Sequence, residues 1–434
     1  MTRIGPILVW SVIAAAFIGP GTVTVAASAG SQFGLALLWA ILFSGIATFT
    51  LQEFAARLSL ATRRDLGAAL RRRYPVGLAR VFVIGLVGGA ILLGCAAYEA
   101  GNILGGAAGV LLALEVPRAA MGGAIGALAI ILLYAGTPVR IAQFMAVLVA
   151  IMGVAFAVLA IRIGNTPSAF AQGLAPRADQ FGSGEAMLGV LALVGTTVVP
   201  YNLFLGSALA RGQGVGEMRI GLAVSIVAGV AITAAIMVVG ASLPGEFSFE
   251  ALAQAVEAEM GPLGRIGLAA GLFAAGLSSA VTAPLAAALT ARGLFDRRGD
   301  KAWRADGGKY RMIWGGVVAI GVVFSITDIR PVPAIVAAQA FNGILLPVAA
   351  YFLLAATSDR RIPARLRNNA AANGAGVVVL AIVTLIGTSA LFRAFAAATG
   401  LATPDARIVA AGGAVLGLVL GLTAIRPNRR RLAV

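Results

Sequence analysis

The octapeptide Phe17-Ile18-Gly19-Pro20-Gly21-Thr22-Val23-Thr24 interrupts an apolar run that otherwise extends from Ile4 to about Ala29. Pro20 lacks a backbone donor and its ring clashes with the preceding turn, while Gly19 and Gly21 favour unwound backbone, so residues 17–24 are expected to break the helix. Unwound backbone at mid-membrane leaves amides and carbonyls without partners, a state tolerated only where they are buried in protein or line a wet cavity. The break therefore points to a binding site. A plain proline kink, which needs no ligand, is the alternative.

A second interruption, Gly195-Thr196-Thr197-Val198-Val199-Pro200-Tyr201-Asn202, sits at the centre of another apolar run, from Ala186 to Ala210. Two interrupted hydrophobic segments at corresponding positions of two halves are the pointer to an inverted-repeat secondary transporter with its site near the bilayer midplane. Residues 196–202 are accordingly expected to be non-helical and to face residues 17–24 within one cavity.

Composition agrees with a polytopic membrane protein: 434 residues, 60% hydrophobic and 12% charged, with a mean hydropathy of +0.95. Apolar runs place spans near 5–29, 34–58, 79–112, 119–135, 139–161, 186–210, 218–242, 264–291, 312–327, 333–356, 372–392 and 407–425, about 12 in all. The first run is longer than a signal-peptide core and has no small-residue cleavage site, so it reads as a retained helix. There is no histidine, which removes the commonest metal ligand and the usual near-neutral proton switch. The lone Cys95 cannot form an intrachain disulfide.

A net charge of +16 could suggest nucleic acid, but its distribution argues otherwise. The clusters Arg63–Arg73, Arg292–Arg311, Arg360–Arg367 and Arg426–Arg431 all fall on one side of the predicted spans, as the positive-inside rule requires of a chain with a cytoplasmic N-terminus. The charge is topological, no nucleic-acid partner is expected, and the bilayer is the expected surrounding: an integral protein of a bacterial inner membrane.

Few polar groups lie deep in the spans. Glu53 and Arg57, four apart on one helical face, read as a snorkelling pair near the inner interface, with a gate as the alternative. Glu99 is the one carboxylate well inside a hydrophobic helix; such an acid is costly and by default functional, so it is assigned as a proton or ion relay, with neutral helix packing as the alternative. Residues 163–184 read as an outer linker between repeats, and Glu246, Glu250, Glu257 and Glu259 as a solvated acidic outer loop. Most intramembrane Ser and Thr should bond their own backbone, whereas Gln339 and Asn342 carry amides that need several partners, which a cavity supplies.

With these motifs in hand the chain resembles the Nramp divalent-metal transporters, proton-coupled carriers with a leucine-transporter-like inverted repeat of helices one to five and six to ten. Ile18-Gly19-Pro20-Gly21-Thr22, then Ala29-Gly30, Phe33-Gly34, Leu37-Leu38-Trp39 and Ala55-Ala56-Arg57-Leu58, line up with the family's Asp-Pro-Gly-Asn break and second helix. Val199-Pro200-Tyr201-Asn202 lines up with Met-Pro-His-Asn, and Gly276-Leu277-Ser278-Ser279 with Gly-Gln-Ser-Ser. The resemblance implies an all-α membrane protein of about 11–12 helices. Its repeats would be 1–162 and 185–358, joined by the linker, with the last two helices in 359–434.

The departures bear on the substrate. Gly19 stands where the family has its metal-binding Asp, Thr22 for Asn, Val199 for Met, Tyr201 for His and Leu277 for Gln, while Gln339 keeps its amide and Glu99 matches the family's acid on helix three. The thioether that favours soft divalent ions and the carboxylate that compensates charge are both absent. Gly19, Thr22, Thr196, Val199, Tyr201, Asn202 and Gln339 are the expected substrate-contacting positions; no metal ligand is assigned and no cofactor is implied. A cation, such as a hydrated divalent ion, moved by alternating access, with or without proton coupling, is the first reading. A small organic or zwitterionic solute is the second. An intramembrane enzyme would need a nucleophile and base, or paired acids, and only Glu99 offers itself, so no catalytic residue is assigned.

Overall fold

The computed structural model describes residues 18–426 apart from 136–137, 165–166, 178–179, 181–182, 211, 297–298 and 400–404. Most of the first span, Phe17 included, lies outside the described residues.

Helices follow one another in the order α1 (Pro20–Phe33), α2 (Leu38–Thr62), α3 (Leu66–Arg73), α4 (Gly77–Leu111), α5 (Arg118–Tyr134), α6 (Pro138–Ile163), α7 (Pro167–Gly173), α8 (Gly184–Thr197) and α9 (Pro200–Leu209). They continue with α10 (Val215–Ala241), α11 (Phe249–Met260), α12 (Pro262–Phe295), α13 (Gly308–Ile326), α14 (Pro331–Thr357), α15 (Ala370–Thr399) and α16 (Ala406–Ile425). Among the described residues nine helical spans, α8 and α9 counted together, are long and apolar enough to cross a membrane, and two shorter apolar ones accompany them. The protein is an all-α polytopic membrane protein.

Local chemistry sets the helix ends. Proline opens α1, α9, α12 and α14, where its fixed φ suits the first turn and its missing N–H would have no helical partner. Ser183 and Ser248 cap α8 and α11 by accepting from Ala186 and Ala251 N–H at 3.3 and 3.0 Å.

Packing depends on small residues, because helices in lipid associate through close contact rather than through expulsion of water. α4 and α12 approach at Gly106 and Gly276, where a Cβ on Gly276 would lie 2.5 Å from Gly106 Cα. In α16, Gly413, Gly417 and Gly421 recur every fourth residue and meet Leu385, Ala381 and Val377 of α15.

Three expectations change here. Each break is narrower than the sequence suggested: only residues 18–19 and 198–199 are non-helical among the described ones, since both prolines restart a helix instead of merely ending one. The acidic outer loop is largely the amphipathic helix α11; there Arg265 donates to both carboxyl oxygens of Glu250 at 2.9 and 3.0 Å and holds that carboxyl below the usual carboxylate range. Glu53 and Arg57 do not snorkel. Their side chains are 8% and 5% exposed, because Glu53 is also bound by Arg219 of α10 (2.6 Å) and Arg57 by Asn368 (2.7 Å). The 163–184 segment contains α7, and its Gln180 ties back to the α1–α2 turn, accepting from Trp39 Nε1 (2.8 Å) and donating to the Ala36 carbonyl (2.9 Å).

Candidate functional site

The two interruptions are built alike. Gly19 and Val199 are extended N-cap residues (φ −93°, ψ 177° and φ −76°, ψ 114°), each followed by proline at the start of the next helix. Thr22 N–H reaches the Gly19 carbonyl at 3.0 Å, and Asn202 N–H the Val199 carbonyl at 3.1 Å, so each helix closes its own first turn. Just before the second break α8 ends at Thr197, and its last-turn carbonyls of Gly195 and Thr197 accept from Tyr98 and Thr48. The C-terminus of α8 is the negative end of its helix dipole, which favours positive charge nearby.

The fold brings the breaks together. Thr22 Oγ1 and Thr196 Oγ1 hydrogen-bond at 3.1 Å across the two halves. A Cβ on Gly19 would lie 3.2 Å from Ser279 Oγ of α12; one on Gly21 would collide with Gln339 Nε2 of α14 and come within 3.4 Å of Thr196 Oγ1. Gly195 packs directly on the backbone of α14, at the Gln339 carbonyl and the Gly343 N–H. Tyr98 of α4 donates to the Gly195 carbonyl at 2.5 Å, and its ring meets Tyr201 edge-on with centroids 5.2 Å apart. Thr48 of α2 donates to the Thr197 carbonyl at 3.2 Å.

Gly19, Thr22, Thr196 and Gln339 thus converge, with Tyr201 joined to them through Tyr98. Val199 and Asn202 are buried at the second break itself. What marks the region chemically is its unspent polar capacity: Thr24 Oγ1, Thr197 Oγ1, Tyr201 Oη, Asn202 Oδ1, Ser279 Oγ and both amide atoms of Gln339 are buried without a hydrogen-bond partner. Buried polar groups are ordinarily paired. A concentration of unpaired ones around two helix breaks is the arrangement expected of a site that receives a polar guest.

Other singled-out residues separate from this cluster. Asn342 donates to the Ala338 carbonyl (3.0 Å) and to the Gly94 carbonyl (3.4 Å), which makes it a fastener between α14 and α4. Leu277 lies in an apolar cluster with Ile103 and Ile125. Glu99 is fully buried but is packed on α13, where a Cβ on Gly321 would sit 2.7 Å from Glu99 Cγ. Asn102 lies beside it, yet both carboxyl oxygens and the Asn102 amide nitrogen fall outside hydrogen-bond geometry.

Sequence reasoning did not select Gly21, Tyr98 or Ser279. Gly21 was visible as part of the break, and Ser279 as a hydroxyl in a glycine-rich stretch. Nothing in the sequence set Tyr98 apart from its neighbour Glu99; only the helix register directs the tyrosine to the breaks and the acid to α13.

Comparison with known proteins places this geometry. A model of the natural resistance-associated macrophage protein-like family matches residues 11–393. A divalent metal cation transporter MntH from Bradyrhizobium diazoefficiens is 28% identical over 376 residues, 80% of each chain. One from Mycobacterium tuberculosis is 27% identical over 412 residues, covering 88% of this chain and 90% of the relative. Among solved structures, a mutant of the Eremococcus coleocola manganese transporter superposes with a TM-score of 0.73 over 96% of this chain and 93% of that one at 18% identity. The nucleobase-cation-symport-1 family transporter Mhp1 superposes with a TM-score of 0.57 at 15% identity, over 97% and 92% of the two chains.

Proposed function

The chain belongs to the Nramp family, and from that premise we propose that it is a secondary transporter of divalent cations in a bacterial inner membrane. The cation would keep part of its water shell in the site. One observation carries the reading: the polar atoms gathered at the two breaks are hydroxyls and amides, with neither a carboxylate nor a thioether among the residues that converge there. Among the described residues no cluster of three or more His, Cys, Asp or Glu could hold a metal ion. Stripping a divalent ion of its water is very costly in low dielectric unless charged ligands replace it. Hydroxyls and amides hydrogen-bond well to coordinated water, and small hard cations keep their water readily. Alternating access would open and close the breaks by moving α1 and α8–α9 against the helices that hold Tyr98, Ser279 and Gln339.

The test is uptake by the purified protein in liposomes, comparing Mg, Mn, protons and amino acids side by side. Divalent uptake with a preference for the harder ion is expected. Uptake of an amino acid without divalent uptake would overturn the reading in favour of an organic solute.

A substitution sharpens it. Gly19 has an extended backbone that any residue adopts, and among the described residues the near neighbour of a new Cβ is the rotatable Ser279 hydroxyl. Gly19→Asp should therefore fold and supply the absent carboxylate. A charge-assisted ligand contributes about 1.5–3 kcal/mol, so Mn affinity measured by calorimetry should rise about tenfold to a hundredfold. No gain in a folded variant would show that a cation does not approach Gly19.

A further inference from the structure

Away from the breaks, a pocket of about 630 Å³ opens where the last turns of α2 meet α10 and the segment leading into α15. It is lined by Arg57, Arg219, Arg365 and Arg367, with Glu53 as the only acid among the described residues. Glu53 is already taken: Arg57 binds one carboxyl oxygen at 2.8 Å and Arg219 the other at 2.6 Å. Arg365 and Arg367 have no ion pair among the described residues, so the pocket carries an uncompensated positive charge.

Directly continuous with it, sharing Phe49 and Thr50, is a groove of about 500 Å³ between α2 and α10. Its walls are Leu42, Ile46, Val227, Val230 and Ala231, with Gly45 as its floor. Thr50 adds no polarity, since its hydroxyl donates to the Ile46 carbonyl of its own helix at 2.8 Å. Leu42, Ile46 and Val227 are exposed, as residues facing acyl chains are. Exposed apolar side chains alone mean nothing in a membrane protein. What selects this place is the junction of an apolar trough with an arginine-lined chamber along one helix, spanning about 22 Å from Leu42 to Arg57 at 1.5 Å per residue.

We propose that this composite cavity is a binding site for one anionic phospholipid, with the phosphate headgroup held by Arg365 and Arg367 and an acyl chain lying in the α2–α10 groove. The charge excess matches an anionic headgroup, because guanidinium groups recognise phosphate through forked hydrogen bonds. The groove matches the chain. The site lies at the end of the spans that bears the arginine clusters, the side on which anionic lipid attracts basic segments. Occupancy would brace α2 against α10 beside the Glu53–Arg57–Arg219 network.

Native mass spectrometry on the delipidated full-length protein in detergent tests this, with phosphatidylglycerol, phosphatidylcholine of the same chains, and inorganic phosphate titrated separately. Phosphatidylglycerol should bind as a single tight adduct, and the other two should bind at least tenfold more weakly. Arg365→Gln with Arg367→Gln should weaken that adduct about 25-fold, at about fivefold per surface arginine. Ala231→Trp, which fills the groove from an exposed position, should weaken it while leaving the arginines intact. Equal affinity for phosphatidylcholine, equal affinity for inorganic phosphate, or undiminished binding by the double arginine variant would each overturn the proposal. Full affinity in Ala231→Trp would overturn the placement of the chain.

Discussion

Glu53→Ala should lower the stability of the folded protein by about 3–5 kcal/mol, the cost of leaving a buried charge without its partner. Arg57 is 5% exposed, and its guanidinium is oriented by Glu53 Oε2 at 2.8 and 3.1 Å. Arg219 is half-exposed and can turn to solvent once Glu53 is removed; Arg57 cannot, because Asn368 Oδ1 (2.7 Å), the Leu366 carbonyl (3.0 Å) and the Phe54 ring hold it in place. Asn368 is in turn fixed to the end of α14, donating to Thr357 Oγ1 at 3.0 Å. The network therefore joins α2, α10 and α14 at one end of the bundle.

The check is thermal unfolding in a fixed detergent and lipid mixture. Glu53→Gln keeps an acceptor and should cost less than alanine. Pairing Glu53→Ala with Arg57→Leu removes both buried charges and should recover most of the loss, since replacing a whole buried pair by apolar groups is often close to neutral. An unchanged melting temperature in the single alanine variant would mean that the pair is hydrated and contributes as little as a surface ion pair.

What the sequence made legible follows from how strongly each feature constrains the chain locally. Proline and glycine act on their own backbone, so both breaks were readable from Gly19-Pro20-Gly21 and Val199-Pro200, and apolar run length located the spans that fall among the described residues. The width of the breaks was not readable, because proline at a first helical position and proline inside a helix look alike until the preceding residue is known to be extended. Partners distant in sequence were equally hidden. Glu53 and Arg57 announce each other at a spacing of four, but Arg219 lies 166 residues beyond Glu53 and converts an interfacial pair into a buried network. Gln339 and Asn342 are one turn apart on α14, and only tertiary packing leaves the first unpaired at the breaks and fastens the second to α4.

If transport is proton-driven, Glu99→Gln should abolish accumulation driven by a proton gradient while leaving exchange of the solute intact. Glu99 is fully buried in α4, against Gly321 of α13, and its oxygens make no hydrogen bond. It meets the requirement that a relay acid be shielded from lipid and bulk water, and the absence of histidine leaves no other near-neutral proton carrier of the usual kind. Glutamine preserves volume and one acceptor but cannot take up a proton, so shape and titration are separated. In liposomes with a one-unit pH difference, a driving force of about 1.4 kcal/mol per proton, the wild type should concentrate the cation and the variant should only equilibrate it. Counterflow with labelled cation at equal pH should proceed in both. Undiminished pH-driven accumulation in the variant would remove Glu99 from the relay. If the wild type itself equilibrates the cation without regard to pH, Glu99 serves instead as a neutral packing acid between α4 and α13, and the glutamine variant should lower thermal stability without altering any pH dependence.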